Sequence, residues 1–238
     1  MNDHLVLLCG FSAVGKSRSL KNLKNPKGVL YLNCESGKRL PFKSEFVEKV
    51  VTDPMQIDSA FDYAETKPDI HTIVIDSLTY LMDMYESLYI YRATNGQNAW
   101  SDFQQYFKNI MQQKVANSTK KVIFLAHVLE TYNDQTMTMD VKVPVKGALK
   151  SNGIESFFSV VIAAKKMRIK DLVDYKNDML TYSPQEEFLG IKYVYQTQLT
   201  KETVGERVRG PDDLFIQQET FINNDIQLVL DRLDQYYK

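Results

Sequence analysis

Tryptophan occurs once in the 238 residues, cysteine twice, and glycine and proline only 10 and 7 times. That scarcity excludes collagen-like, linker-like and disulfide-framed chains. The two cysteines, Cys9 and Cys34, sit in apolar runs that read as strands, and no CxxC or His/Cys cluster suggests zinc. No apolar run approaches the length of a membrane span. Met1-Asn2-Asp3-His4 leads straight into an apolar run, without the charged-then-apolar layout of a signal peptide. The expectation is a soluble chain in a reducing, intracellular compartment, with no membrane partner. Excess charge of either sign is also missing, the formal net charge being −1. Proteins that coat nucleic acid by bulk charge are strongly basic. Nucleic-acid binding here would have to come from a local patch or from assembly.

Apolar residues are plentiful enough, at 44%, for one large α/β domain spanning 1–238. Leu5–Cys9, Val29–Asn33, Ile73–Ile75 and Val122–Ala126 are short continuous apolar runs, the mark of strands buried on both faces. Between them lie a polar helix from about Lys16 to Lys24 and helical stretches at Gln56–Glu65, Leu78–Ala93 and Ala99–Val115. Alternating strands and helices imply a mostly parallel central sheet flanked by helices, with every strand's C-terminal end on one edge. The second half differs. Thr131–Val145 alternates and suggests a hairpin or extended loop, Phe157–Ala164 is a further strand, and residues 171–187 form a polar, exposed excursion. Ile191–Leu199 reads as a late antiparallel strand and Asn223–Tyr236 as an amphipathic helix.

Gly10-Phe11-Ser12-Ala13-Val14-Gly15-Lys16-Ser17 fits G-x-x-x-x-G-K-[ST] between a strand and a helix. Its glycines let backbone N–H groups converge on phosphate, Lys16 reaches the β/γ-phosphates, and Ser17 reaches Mg2+. The expected ligand is ATP with Mg2+. Ile73-Val74-Ile75-Asp76 ends a strand neighbouring the P-loop in the carboxylate that would hold the metal, although such an Asp can also cap the next helix. Glu35, ending the second strand, is the candidate to polarise the attacking water, or else a solvated loop residue. His127, ending the fourth strand, could sense the γ-phosphate or be structural. Lys142, Lys146 and Lys150 recur every four positions after it and could contact DNA phosphates or line a solvated face, as could Lys165, Lys166, Arg168 and Lys170. Arg207 and Arg209, close to glycines, are arginine-finger candidates or ordinary surface residues. Trp100, Phe103, Tyr106 and Phe107 read as core. His4 and His71 precede strands, at the opposite edge, and carry no assigned role.

The order of these motifs resembles the RecA-like P-loop NTPase core: P-loop, Leu30-Tyr31-Leu32-Asn33-Cys34-Glu35, Ile-Val-Ile-Asp-Ser, then Ala126-His127. With Trp100 before a long helix, the Pro144…Gly147 segment and an Arg-rich stretch before the last helix, it is most similar to phage-encoded RecA-like nucleotide-binding proteins of the single-strand annealing and recombination (Sak) group. RecA carries Gln where His127 stands, and Arg207–Gly210 only loosely matches the lysine/arginine–glycine motif that RadA-type proteins place across the subunit interface. The resemblance implies an ATPase that binds single-stranded DNA, with 131–150 as the DNA-contact loop. It implies homo-oligomeric rings or filaments and a role in phage recombination within the host cytoplasm. Two alternatives stand beside it: an ATP-dependent loader or accessory factor of a replication protein, and a small-molecule P-loop kinase. A kinase needs an arginine-dense lid, which the acidic, Tyr-rich 171–187 stretch does not offer.

Overall fold

The computed structural model describes residues 2–135, 137–150 and 153–238, with Ala148 in backbone only; Thr136, inside the expected hairpin, lies outside the described residues. Among the described residues ten strands form, in chain order: β1 (Leu5–Gly10), β2 (Val29–Asn33), β3 (Val47–Val50), β4 (Thr72–Asp76), β5 (Lys121–His127), β6 (Leu129–Asn133), β7 (Thr138–Lys142), β8 (Val160–Arg168), β9 (Ile191–Gln196) and β10 (Phe221–Asn223). Eight make one sheet in the order β10-β9-β8-β1-β5-β4-β2-β3, and β6 with β7 makes a separate hairpin. From β8 to β3 the pairings are parallel, while β9 and β10 add antiparallel. The expected α/β class, a mostly parallel sheet flanked by helices with late antiparallel strands, is the observed one.

The apolar runs become strands because both faces of the sheet are covered. Along β1, Leu5, Leu7 and Cys9 enter the core beneath α1 (Met55–Glu65), α2 (Leu78–Tyr85) and α3 (Gly96–Asn109). Val6 and Leu8 enter the opposite core with Leu20 and Leu23. After the short α4 (Pro184–Leu189), the chain closes with α5 (Ile226–Tyr236), which brings Val229, Leu230 and Leu233 to that second core. Phe103 and Phe107 are buried and Trp100 packs against the first core, as the sequence suggested. Among the described residues, no helix is long and apolar enough to cross a membrane.

Three expectations are corrected. β4 does not neighbour β1, because β5 pairs with both and lies between them. The helix expected over Lys16–Lys24 is a 3-10 turn, Ser17–Asn22, ending at Leu23, whose ψ of 125° leaves the helical region. Pro26 disfavours the right-handed helical conformation at Asn25, and Asn25 stands left-handed at φ 49°. The 171–187 stretch is not merely exposed: Leu172 and Leu180 are buried with Val194 and Phe221 in a small third core, and Met179 O accepts the Asn223 amide. Isolated leucines and tyrosines in a polar run carry no periodicity, so their burial left no pattern to read.

The hairpin is fastened to the body by the chain near Gly205. The Val141 amide donates to Gly205 O at 3.0 Å, and Val141 bridges Glu206. Gly205→Ala would set a Cβ 1.9 Å from Met139 O, so it is expected to destabilise by about 1–3 kcal/mol, the usual cost of overpacking. Gly96→Ala meets nothing within 4 Å and should leave stability equal or slightly higher. Denaturant unfolding of the two variants side by side checks this; equal midpoints would remove the clamp.

Candidate functional site

Parallel register brings the chemistry together. Gly10 of β1 pairs with His127 of β5, Leu125 of β5 with Asp76 of β4, and Asp76 with Asn33 of β2. Four strands therefore end on one edge of the sheet, β1 and β5 running two residues beyond β4 and β2, and the loops that leave them carry Lys16, Glu35, Ser77 and the chain beyond His127. They open onto a cleft of about 690 Å³, within the usual size of a small-molecule site.

Gly10 has no alternative, since a Cβ there would meet Ala164 O at 2.6 Å. The loop then curls through left-handed Ala13 (φ 61°) and Gly15 (φ 89°). Lys16, only 7% exposed, folds its ammonium back into that curl. It donates to Gly10 O at 2.9 Å and Phe11 O at 2.8 Å, and its Nζ lies 3.3 Å from His127 Nδ1. It forms no ion pair with a carboxylate among the described residues. Burial lowers its pKa to about 8, outweighing the attraction of Asp76 and Glu35. A buried cation in a backbone cradle with no anion of its own fits a phosphate chain.

Asp76 is 2% exposed. Its Oδ2 accepts from Ser17 Oγ at 2.7 Å and from Tyr31 OH at 2.8 Å. Burial raises its pKa despite both bonds. Ser17 and Asp76 supply the hard oxygens that Mg2+ prefers, and no group of three or more His, Cys, Asp or Glu that could hold a metal occurs among the described residues. That donor set fits a magnesium ion bound jointly with phosphate oxygens and water. The ion would hold the phosphates and offset their charge.

Glu35 sits in a turn shaped by Asn33, whose Oδ1 accepts the Glu35 amide and whose Nδ2 donates to Lys38 O. Glu35 Oε1 lies 3.4 Å from His127 Nε2, and Lys38 Nζ donates to Oε2 at 2.8 Å. The bonds to His127 and Lys38 lower the Glu35 pKa to about 2 against the opposing effect of burial. His127 thus touches Lys16 on one side and Glu35 on the other. Thr79 Oγ1 accepts its backbone amide, and the Tyr80 ring stands edge-on to the imidazole at 5.8 Å.

The remaining candidates lie elsewhere. Lys142 ends β7 half-buried, Lys146 is paired with Glu86 at 2.5 Å, Lys150 is exposed, and none of them lines the cleft. Arg207 is exposed, and Arg209 Nη2 donates to Glu155 O and Phe158 O at 2.6 and 2.5 Å, which ties it to its own chain. His4 pairs with Asp234, and His71 contacts Thr72 and Asn25, away from the cleft. Sequence reasoning missed Tyr31, Lys38, Tyr193 and Asn224. Tyr31 had a usable signal, since a tyrosine within a run of buried aliphatics needs a partner for its hydroxyl.

The lowered Lys16 pKa makes nucleotide binding pH-linked. Above about pH 8 the free ammonium loses its proton, and bound phosphates would restore it. Calorimetry of ATP binding at pH 9, in buffers of different ionisation enthalpy, should show proton uptake that vanishes at pH 6.5 and in Lys16→Arg. No uptake at pH 9 would contradict the assigned burial.

No curated protein matches the chain. A family model described as an AAA domain matches residues 3–205, a span that holds the P-loop, Glu35, Asp76 and His127. The family is one of the P-loop NTPase superfamily, whose members bind nucleotide with Mg2+, and the chain belongs to the AAA domain family.

Proposed function

We propose that the protein is a RecA-like ATPase, similar to the Sak group, that hydrolyses ATP and binds single-stranded DNA to promote annealing in phage recombination. The observation that carries this reading is the position of His127. It contacts both the P-loop lysine and Glu35, and one residue later the chain enters the β6–β7 hairpin. A change at the phosphates is thereby adjacent to the segment that leads to Lys142, Lys146 and Lys150.

Glu35 acts on the water. A carboxylate with a pKa near 2 is ionised but a weak proton acceptor. Released from His127 and Lys38, it keeps only the burial that raises its pKa, and becomes more basic. ATP entry, by drawing His127 and Lys38, which both line the cleft, toward phosphate, supplies that release. Glu35→Gln should bind ATP normally and hydrolyse it about 100-fold more slowly or worse; a normal rate would assign the water to another group.

DNA contacts through lysines would be to phosphates, salt-sensitive and indifferent to base. With a net charge of −1, one subunit binds weakly and a ring or filament sums many such contacts. The loader reading draws on the exposed apolar hairpin residues Leu129, Tyr132 and Met137, which suit a protein partner. Titration of labelled single-stranded DNA, with and without a non-hydrolysable ATP analogue, separates the two. Wild type should bind more tightly with the analogue, and Lys142/Lys146/Lys150→Ala should lose that gain. No DNA binding at low salt would overturn the recombination reading and leave the loader.

A further inference from the structure

The cleft is lined from both sides of β1. His127, Asp76 and Glu35 come from β5, β4 and the end of β2 on one side, and Tyr193 comes from β9 on the other, with Asn224 just after β10. Gly15 connects the two sides, because a Cβ on it would lie 3.4 Å from Tyr193 Cδ1 and 3.5 Å from Asn224 Nδ2. Asn224 Nδ2 donates to Val14 O at 3.3 Å. A carbonyl only accepts, so this bond fixes the amide orientation and turns Oδ1 away as a remaining acceptor. Tyr193 is 41% exposed although Lys192, Val194 and Tyr195 beside it are buried. An aromatic ring left open beside a phosphate cradle is a surface on which a flat heterocycle stacks.

The direction of the bound chain follows from the metal donors. Ser17, Asp76 and the Glu35–His127 contact mark the terminal-phosphate end, so the nucleoside must lie toward the other. We propose that Tyr193 and Asn224 form the nucleoside seat, Tyr193 by stacking on the base and Asn224 by accepting a hydrogen bond from base or ribose. Asn224 lies beyond residue 205, where the family match ends. The segment after the matched domain thus supplies part of the site and selects a nucleotide over a bare polyphosphate. The inference rests on reading the P-loop as a triphosphate cradle.

Two probes separate the inference from that reading: ATP and inorganic tripolyphosphate, each with Mg2+, titrated calorimetrically into the full chain. Tyr193→Ala should weaken ATP by about 10-fold or more, the scale of a lost stacking contact, and leave tripolyphosphate unchanged, which also shows that the variant is folded. Tyr193→Phe should restore ATP binding, and Asn224→Ala should weaken ATP alone. Unchanged ATP affinity in Tyr193→Ala, or equal loss for both probes, would overturn the nucleoside seat. Tripolyphosphate binding that survives Lys16→Ala would instead overturn the cradle, and with it the direction assumed for the ligand.

Discussion

Parallel pairing in register is the constraint on which the site depends. β1, β5, β4 and β2 are hydrogen-bonded side by side, so Gly10 and His127 share one level, and Asp76 and Asn33 share another two residues back along β5, on the same edge of the sheet, although all four are far apart in the chain. Each loop leaving that edge needs only a short reach to contribute a polar group. A one-residue slip of β5 would turn its buried side chains to the wrong face and separate His127 from Lys16. The two cores on either side of the sheet enforce the register, since Val122, Phe124 and Ala126 belong to one and Ile123 and Leu125 to the other.

Burial opposes charge throughout the cleft. It lowers the pKa of Lys16 and raises that of Asp76, so each charged form is disfavoured where it stands. Neither has an ion-pair partner among the described residues, and both are held by hydrogen bonds instead. A phosphate chain complements the first group and a divalent cation the second. Neither needs to displace an existing salt bridge at Lys16 or Asp76. Glu35, the group proposed to act on the water, is by contrast paired with His127 and Lys38.

The P-loop was legible because its chemistry is local: eight consecutive residues carry both the curl and the ligand groups. Asp76, Glu35 and His127 were legible one step further on, because a parallel sheet maps the ends of apolar runs onto one edge. Strand order was not, since nothing local in β5 says that it inserts between β1 and β4. Contacts such as Asn224 to Val14, separated by 210 positions, have no sequence pattern at all. β3 was invisible for a different reason: Val-Glu-Lys-Val is exposed along its length and offers neither an apolar run nor a clear alternation. The ion pair of Lys146 with Glu86 shows the same limit, because a regular spacing of lysines does not reveal which of them are already engaged.

The last helix gives the boundary of the fold a particular meaning. α5 contributes Val229, Leu230 and Leu233 to the core beneath the P-loop turn, and Gln227 Oε1 accepts the Lys24 amide. A chain cut at residue 205 would leave Leu20, Leu23 and Val6 facing water on that side. The span recognised as a domain is therefore not a unit that can be excised. Recombining it with another C-terminal segment would require a replacement that covers the same apolar surface and also presents a polar side chain to Val14.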